Sequence, residues 1–309
     1  MDSMKSKHAL IALAVLVIVG VGGFALLSGD DDDMDKTENQ STSQQSGSTA
    51  VDAKDLPFNL SLTNLAPLDS GVYEGWVVRG DDKLSFGRFN MTADGMVDGT
   101  LAFDSLTVQD GDTIAISIEP DTDPDPGPSA TIVLAGEVMN GSANLAFPVD
   151  VSGFGGQYIL ATPTTAAQDD ETAGVWFTIT GSDTSLDIPV APDGWIYEGW
   201  AVVDGTPYTT GQFKDPSMAD MFNGYSGPGN APNKPGEDFV ANLANAPLDL
   251  RGGTIVVSLE PYQDGTDPTG EGPAQVKPLT HMVPADAVDH SALTLEVSTE
   301  SVPSGMVTL

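Results

Sequence analysis

Cysteine is absent from the 309 residues, and lysine plus arginine number 11 against 45 aspartates and glutamates. The first absence excludes thiol catalysis, disulfides, cysteine-based zinc sites and the lipid-modified cysteine of a bacterial lipoprotein. The second leaves a formal net charge of −34 and argues against nucleic-acid binding, which needs Lys and Arg to displace the counterions of phosphate. Three histidines, one of them His8, leave little for a histidine-built site. The sequence has no GxSxG elbow, Gly-rich phosphate loop or HExxH. Carboxylate pairs for glycoside hydrolysis come from distant positions and leave no local mark, yet nothing points to an enzyme or a cofactor. The chain does have 34 glycines and 22 prolines, the residues of turns, and enough length for one or two domains with a real core.

Residues 9–27, ALIALAVLVIVGVGGFALL, are an uncharged apolar run of 19 residues. At about 1.5 Å rise per residue a helix of that length approaches the roughly 30 Å hydrocarbon core of a bilayer. Lys5 and Lys7 precede it and Asp30–Asp33 follow, so the positive-inside rule sets the N-terminus in the cytoplasm and the rest outside. The run is longer than the h-region of a cleaved signal, which favours a retained anchor. The sequence thus divides into a cytoplasmic stub (1–8), a transmembrane signal anchor (9–28) that contacts the lipid bilayer, and an acidic, Ser-rich linker (29–55) too polar to fold.

Beyond the linker the chain repeats itself. Tyr73-Glu74-Gly75-Trp76-Val77-Val78 returns as Tyr197-Glu198-Gly199-Trp200-Ala201-Val202. Gly87-Arg88-Phe89 returns as Gly211-Gln212-Phe213, and Ser117-Ile118-Glu119-Pro120 as Ser258-Leu259-Glu260-Pro261. Three matches in one order indicate a duplication. The repeated segments are short, rich in β-branched and aromatic residues, and bounded by Gly, Pro or Asp-Gly. The expected fold is all-β: two repeated antiparallel β-sandwich units, 56–165 and 166–309, after the anchor and the disordered linker. Segments 157–164 and 173–180 read as extra strands joining the units. Strand alternation sets Tyr73, Gly75 and Val77 on one face, and Glu74, Trp76 and Val78 on the other. Trp76 and Trp200 read as core anchors rather than stacking platforms. A Glu beside a buried Trp needs a partner; Arg88 can serve Glu74, but Gln212 stands at the matching place in the second copy.

The order of Tyr-Glu-Gly-Trp, Gly-x-Phe and Ser-x-Glu-Pro resembles the extracytoplasmic domain of anti-sigma-K factors of the RskA type, twice over. The resemblance implies a β-sandwich on the outer side of a membrane. It also implies a cytoplasmic helical domain that captures a sigma factor, whereas only Met1 to Lys7 precede the apolar run here. That departure argues against direct sigma-factor binding. It leaves two readings: a binding or structural module whose partner is an envelope protein or a glycan, and the sensor part of an anti-sigma system with a separate cytoplasmic subunit.

Two loop regions merit attention. The segments after each Glu-Pro are acidic, with Glu119, Asp121, Asp123 and Asp125 in the first copy and Glu260, Asp264, Asp267 and Glu271 in the second. Alternating carboxylates suit Ca²⁺, but the EF-hand pattern fails at Pro126 and Ile132, so Asp121, Asp123 and Asp125 are weak candidates. The second copy also carries an insertion, 214–239, with no obvious element of its own. Its Met218, Met221, Phe222 and Tyr225 either pack on the sandwich or meet a partner.

Overall fold

The computed structural model describes residues 58–102, 108–262 and 272–309. The expected anchor and linker, and the acidic Asp264, Asp267 and Glu271, lie outside the described residues. The latter fall within one compact unit, Ala53–Leu309. They are all-β, and none is helical.

The strands run β1 (Asn59–Thr63), β2 (Val72–Arg79), β3 (Asp82–Met91), β4 (Val97–Gly99), β5 (Thr113–Glu119), β6 (Ile132–Glu137), β7 (Ser142–Ala146), β8 (Gly155–Leu160) and β9 (Gly174–Trp176). They continue with β10 (Leu186–Asp187), β11 (Trp195–Val203), β12 (Thr206–Phe213), β13 (Gly236–Asp238), β14 (Thr254–Pro261), β15 (Leu279–Met282), β16 (Leu293–Thr294), β17 (Glu296–Val297) and β18 (Ser304–Thr308). Three sheets result: β1-β18-β7-β6-β5-β2-β3-β4, β10-β8-β9-β13 with β16 also on β8, and β12-β11-β14-β15-β17.

The duplication is visible strand for strand. β3-β2-β5-β6 in the first sheet and β12-β11-β14-β15 in the last have the same order, and all their pairings are antiparallel. The register agrees to the residue. Tyr73 faces Phe89 and Gly75 faces Gly87, then the ladder skips Phe86 and sets Trp76 against Ser85. Tyr197 faces Phe213 and Gly199 faces Gly211, then Thr210 is skipped and Trp200 meets Thr209. The repeated glycines follow from this bulge. Gly87 and Gly211 have φ of 136° and 110°, a region that disfavours L side chains. Gly75 lies under the Phe86 ring, where a Cβ would come within 2.1 Å of it. In the second copy the skipped residue is Thr210, and the ring over Gly199 comes from Phe177, beyond β9. The duplicated packing is therefore kept with a side chain from elsewhere in the chain.

Alternation sorts the two faces as expected. Tyr73, Val77, Ile114, Ile116 and Ile118 enter an apolar cluster that also takes Tyr197, Ala201, Ile255, Val257 and Leu259. Trp76 and Trp200, at 2% and 3% exposure, are buried on the opposite face, outside that cluster. Two features tie the halves of the chain together. The segments expected at 157–164 and 173–180 overlap β8 and contain β9 respectively, and these two strands pair with each other in the middle sheet. β18 returns to the first sheet and lies between β1 and β7.

Candidate functional site

In each copy the face carrying the tryptophan is a hydrogen-bonded relay. Trp76 Nε1 donates to Ser117 Oγ at 2.8 Å, Ser117 donates to Glu119 Oε1, and the same oxygen accepts the Ser129 N–H at 2.8 Å. In the second copy Trp200 Nε1 donates to Ser258 Oγ at 2.9 Å, Ser258 donates to Glu260 Oε1, and the Ala274 N–H reaches that oxygen at 3.0 Å. Ser and Glu two apart on a strand share a face, so Ser-x-Glu-Pro lets one side chain meet the tryptophan while the next holds the returning loop. Burial pushes the Glu119 carboxyl upward, against the opposing pull of Ser117 and Ser129. Each serine hydroxyl is engaged on both sides, as acceptor and donor, and so is spent on structure.

Glu74 and Glu198 find different partners at the same place. The Arg88 guanidinium sits 3.0 Å from Glu74 and also donates to the Pro120 carbonyl at 2.5 Å. Glu198 instead accepts from Gln212 Nε2 at 2.8 Å and Thr209 Oγ1 at 2.5 Å. Two neutral donors thus replace one cation. Tyr73 and Tyr197 each lie against the phenylalanine opposite, Phe89 and Phe213, with ring centroids 5.5 and 5.7 Å apart.

The two halves of the insertion's apolar set separate in the fold. Phe222 and Tyr225 are half-buried and lie edge to face at 5.1 Å, and Tyr225 continues the contact to Phe239 at 5.7 Å. Met218 and Met221 are 52% and 63% exposed. The aromatics therefore pack while the methionines face outward. The insertion also acquires an element that its composition hides. Gly236, Glu237 and Asp238 form β13, fully buried beside β9.

Three carboxylates hold this loop in place. Asp220 accepts the Phe222 N–H at 2.9 Å and the Gly236 N–H at 2.8 Å. Asp238 accepts Trp176 Nε1 at 2.7 Å, the Thr164 N–H at 2.8 Å and the Thr164 hydroxyl. Glu237 Oε1 accepts the Tyr225 N–H at 3.1 Å, while its Oε2 is buried without a partner. Trp176, Asp220, Met221, Phe222, Lys234 and Glu237 are among the residues lining a cavity of about 340 Å³. The Lys234 ammonium is turned onto the Ser217 and Asn233 carbonyls, both at 2.9 Å. Burial raises Glu237 to about 7, with the Asp220 and Asp238 charges adding to it, and raises Asp220 to about 6. Asp238 is raised too, again mainly by burial.

A raised carboxyl holds its proton more tightly in the folded chain than in the unfolded one. The stability it contributes is complete below its ordinary value of 4.5 and is lost as pH rises through about 7. For Glu237 this amounts to about 2 kcal/mol after allowance for solvent screening. Glu237→Gln keeps an acceptor for Tyr225 and carries no charge. Its Tm should exceed the parent's by about 4–8 °C at pH 8 and match it near pH 4.5. The relief of general charge repulsion in acid is common to both proteins and cancels in the difference. Thermal melts across that range would expose an error as a constant offset.

The weak Ca²⁺ candidates do not converge. Asp123 Oδ1 accepts the Asp125 N–H at 2.9 Å and Asp125 Oδ1 the Gly127 N–H at 3.0 Å, so two of the three carboxylates serve local turns. Among the described residues, no three His, Asp or Glu side chains are grouped to hold a metal ion. Sequence reasoning singled out the insertion through its methionines and aromatics but missed Asp220, Glu237 and Asp238. The one available signal was a pair of acidic residues beside Phe239 in an otherwise Gly/Pro-rich stretch.

Residues 8–132 match the family described as anti-sigma-K factor rskA, C-terminal. That stretch is similar to the C-terminal domain of RskA-type anti-sigma-K factors, a similarity that supports an anti-sigma-factor-like regulatory module. It includes the apolar run and the first copy of the repeat, up to the start of β6; the second copy and its insertion lie beyond it. No curated protein and no solved structure matches the chain.

Proposed function

With residues 8–132 similar to an RskA-type domain, we propose that the chain is a membrane-anchored, extracytoplasmic and non-catalytic β module of an anti-sigma-factor-like regulatory system. The observation that carries this reading is the extent of the family match, which takes in the apolar run 9–27 together with the first β unit. The flanking charges, Lys5 and Lys7 before and Asp30–Asp33 after, orient such a segment with the β unit outside. The committed serines and the absence of a recognisable nucleophile motif support a binding role over catalysis. The second copy and its insertion supply a surface for an envelope protein or a glycan. Regulation of a sigma factor then passes through a separate cytoplasmic subunit.

The test is a tagged full-length chain in membranes, probed by protease on intact cells and then solubilised in detergent for pull-down. Digestion of the β unit from outside, together with recovery of a cytoplasmic regulator of a sigma factor, is the expected result. A β unit protected until the cells are lysed would overturn the topology. External digestion with only envelope proteins recovered would overturn the regulatory role and leave a surface-binding module.

A further inference from the structure

The insertion 214–239 is fastened by carboxyl groups that have no matching cation. Glu237 and Asp238 are wholly buried. Asp220 lies on Gly211, the bulge glycine of β12, where a Cβ would come within 2.5 Å of its carboxyl. Together they accept the Phe222, Tyr225 and Gly236 N–H groups inside the insertion, and the Thr164 N–H and Trp176 indole outside it. The Ser226 side chain also bears on Glu237. The charges brought up by neighbouring elements are mostly negative. β11 turns Glu198 toward Asp220, and the segment after β8 turns Asp170 toward Asp238. Within the insertion, Lys234 is held on two carbonyls and acts on Asp215. β9 carries no charged side chain, β12 supplies the Tyr208 ring beside Tyr225 and Phe239, and Asp249 and Arg251 beyond β13 pair with each other. Among the described residues no Lys, Arg or His forms an ion pair with Asp220, Glu237 or Asp238.

The geometry points to a pH-operated latch: the insertion closes on β9 and β12 while these three carboxyls carry protons, and loosens as they ionise. A protonated carboxyl brings no charge inside and can still accept a backbone N–H. Ionised, the three set like charges together in a buried place that holds no cation for them. Burial already lifts Glu237 to about 7 and Asp220 to about 6. A raised carboxyl favours the closed form below its ordinary value and loses that hold as pH rises through the raised one, so the latch weakens upward through pH 6 to 7. The opening is local. It withdraws β13 from β9, which keeps β8 on its other side, and takes Asp238 away from the Trp176 indole. The first copy has no counterpart of the insertion, so the device belongs to the second copy alone. This inference concerns the folded β unit and holds whatever side of a membrane that unit occupies.

Amide hydrogen exchange of the purified full-length chain in detergent, followed from pH 4.5 to 8 and divided by the chemical exchange rate at each pH, reads the latch directly. Amides of 220–238 should open about thirtyfold more often at pH 8 than at pH 4.5, or more. Those of β2 and β5 in the first copy should change little. Glu237→Gln, which keeps the acceptor for Tyr225 without the charge, should remove at least about tenfold of that rise. Asp121→Asn, at an exposed carboxylate, should leave it intact. Corrected exchange in 220–238 that stays flat with pH would overturn the latch in the parent protein alone, without any variant. A rise shared equally by β2 and β5 would mean opening of the whole unit, and a rise undiminished in Glu237→Gln would mean that this carboxyl does not govern the loop; either result overturns the proposal.

Discussion

Replacing Val307 by Asp should destabilise the protein by about 4 kcal/mol or more, and the damage should appear in strands that precede it by more than 150 residues. β18 alternates so that Val307 alone among its five residues is fully buried, at 1% exposure. Val307 stands opposite Leu60 of β1 on one side and Ala143 of β7 on the other. An aspartate there brings a carboxylate into an apolar cluster with no cation to meet it. If β18 leaves the sheet, β1 loses its neighbour and β7 gains a bare edge, so hydrogen exchange should accelerate across β1 and β7 before it does in β11 and β14. Met306→Asp is the paired control. Met306 is 48% exposed on the other face of the same strand, and the same charge there should cost well under 1 kcal/mol. Similar urea midpoints for the two variants would mean that β18 is not an integral strand of the first sheet.

The contrast between legible and hidden parts of the fold has a physical basis. Three strands of the duplicated unit, β2, β3 and β5 with their counterparts β11, β12 and β14, were readable because their constraints lie within one repeat. Each Tyr-Glu-Gly-Trp strand carries its alternation, and the next strand of its hairpin supplies the bulge glycine and the phenylalanine opposite its tyrosine, so copying the sequence copied these pairings. The return of β18 had no such signal. A five-residue strand with one buried side chain looks like any polar terminus, and its pairing with β1 and β7 is decided by an unfilled place in a distant sheet. Glu237 and Asp238 were hidden for the opposite reason. Acidic residues in a Gly/Pro-rich stretch read as solvated loop, yet here Asp238 is buried because Trp176 and Thr164 donate to it. The tryptophans, read as core anchors, are buried on the face opposite Tyr73 and Tyr197. Alternation separated Trp76 from Tyr73 correctly, but only the register of β2 against β5 brings it to Ser117.

Glu119→Ala and Glu260→Ala should each cost about 3 kcal/mol, by the same mechanism and to a similar extent. In each case one buried oxygen accepts two donors, a serine hydroxyl and the backbone N–H of the returning segment. Truncation takes the acceptor from both donors, although in the second copy Ser258 Oγ keeps a longer bond to the Glu198 carbonyl at 3.4 Å. One unsatisfied buried donor costs about 1–3 kcal/mol, and the lost side-chain volume adds to it. The replacements Glu119→Gln and Glu260→Gln retain an acceptor oxygen and should recover most of the loss, which separates hydrogen bonding from volume. The relay also predicts a local readout. Ser129 and Ala274 are tied to the first and second copy respectively, so the amide exchange of each should rise only in the variant of its own copy. If Glu→Ala and Glu→Gln melted alike, the carboxyl oxygen would not be the element that fixes the loop. If one copy tolerated truncation and the other did not, the relay would be conserved in geometry but not in energetic weight. The expected symmetry follows from the register itself: Trp76 stands against Ala115 and Trp200 against Val256, two residues before Ser117 and Ser258, so the same ladder delivers the same indole to the same hydroxyl twice.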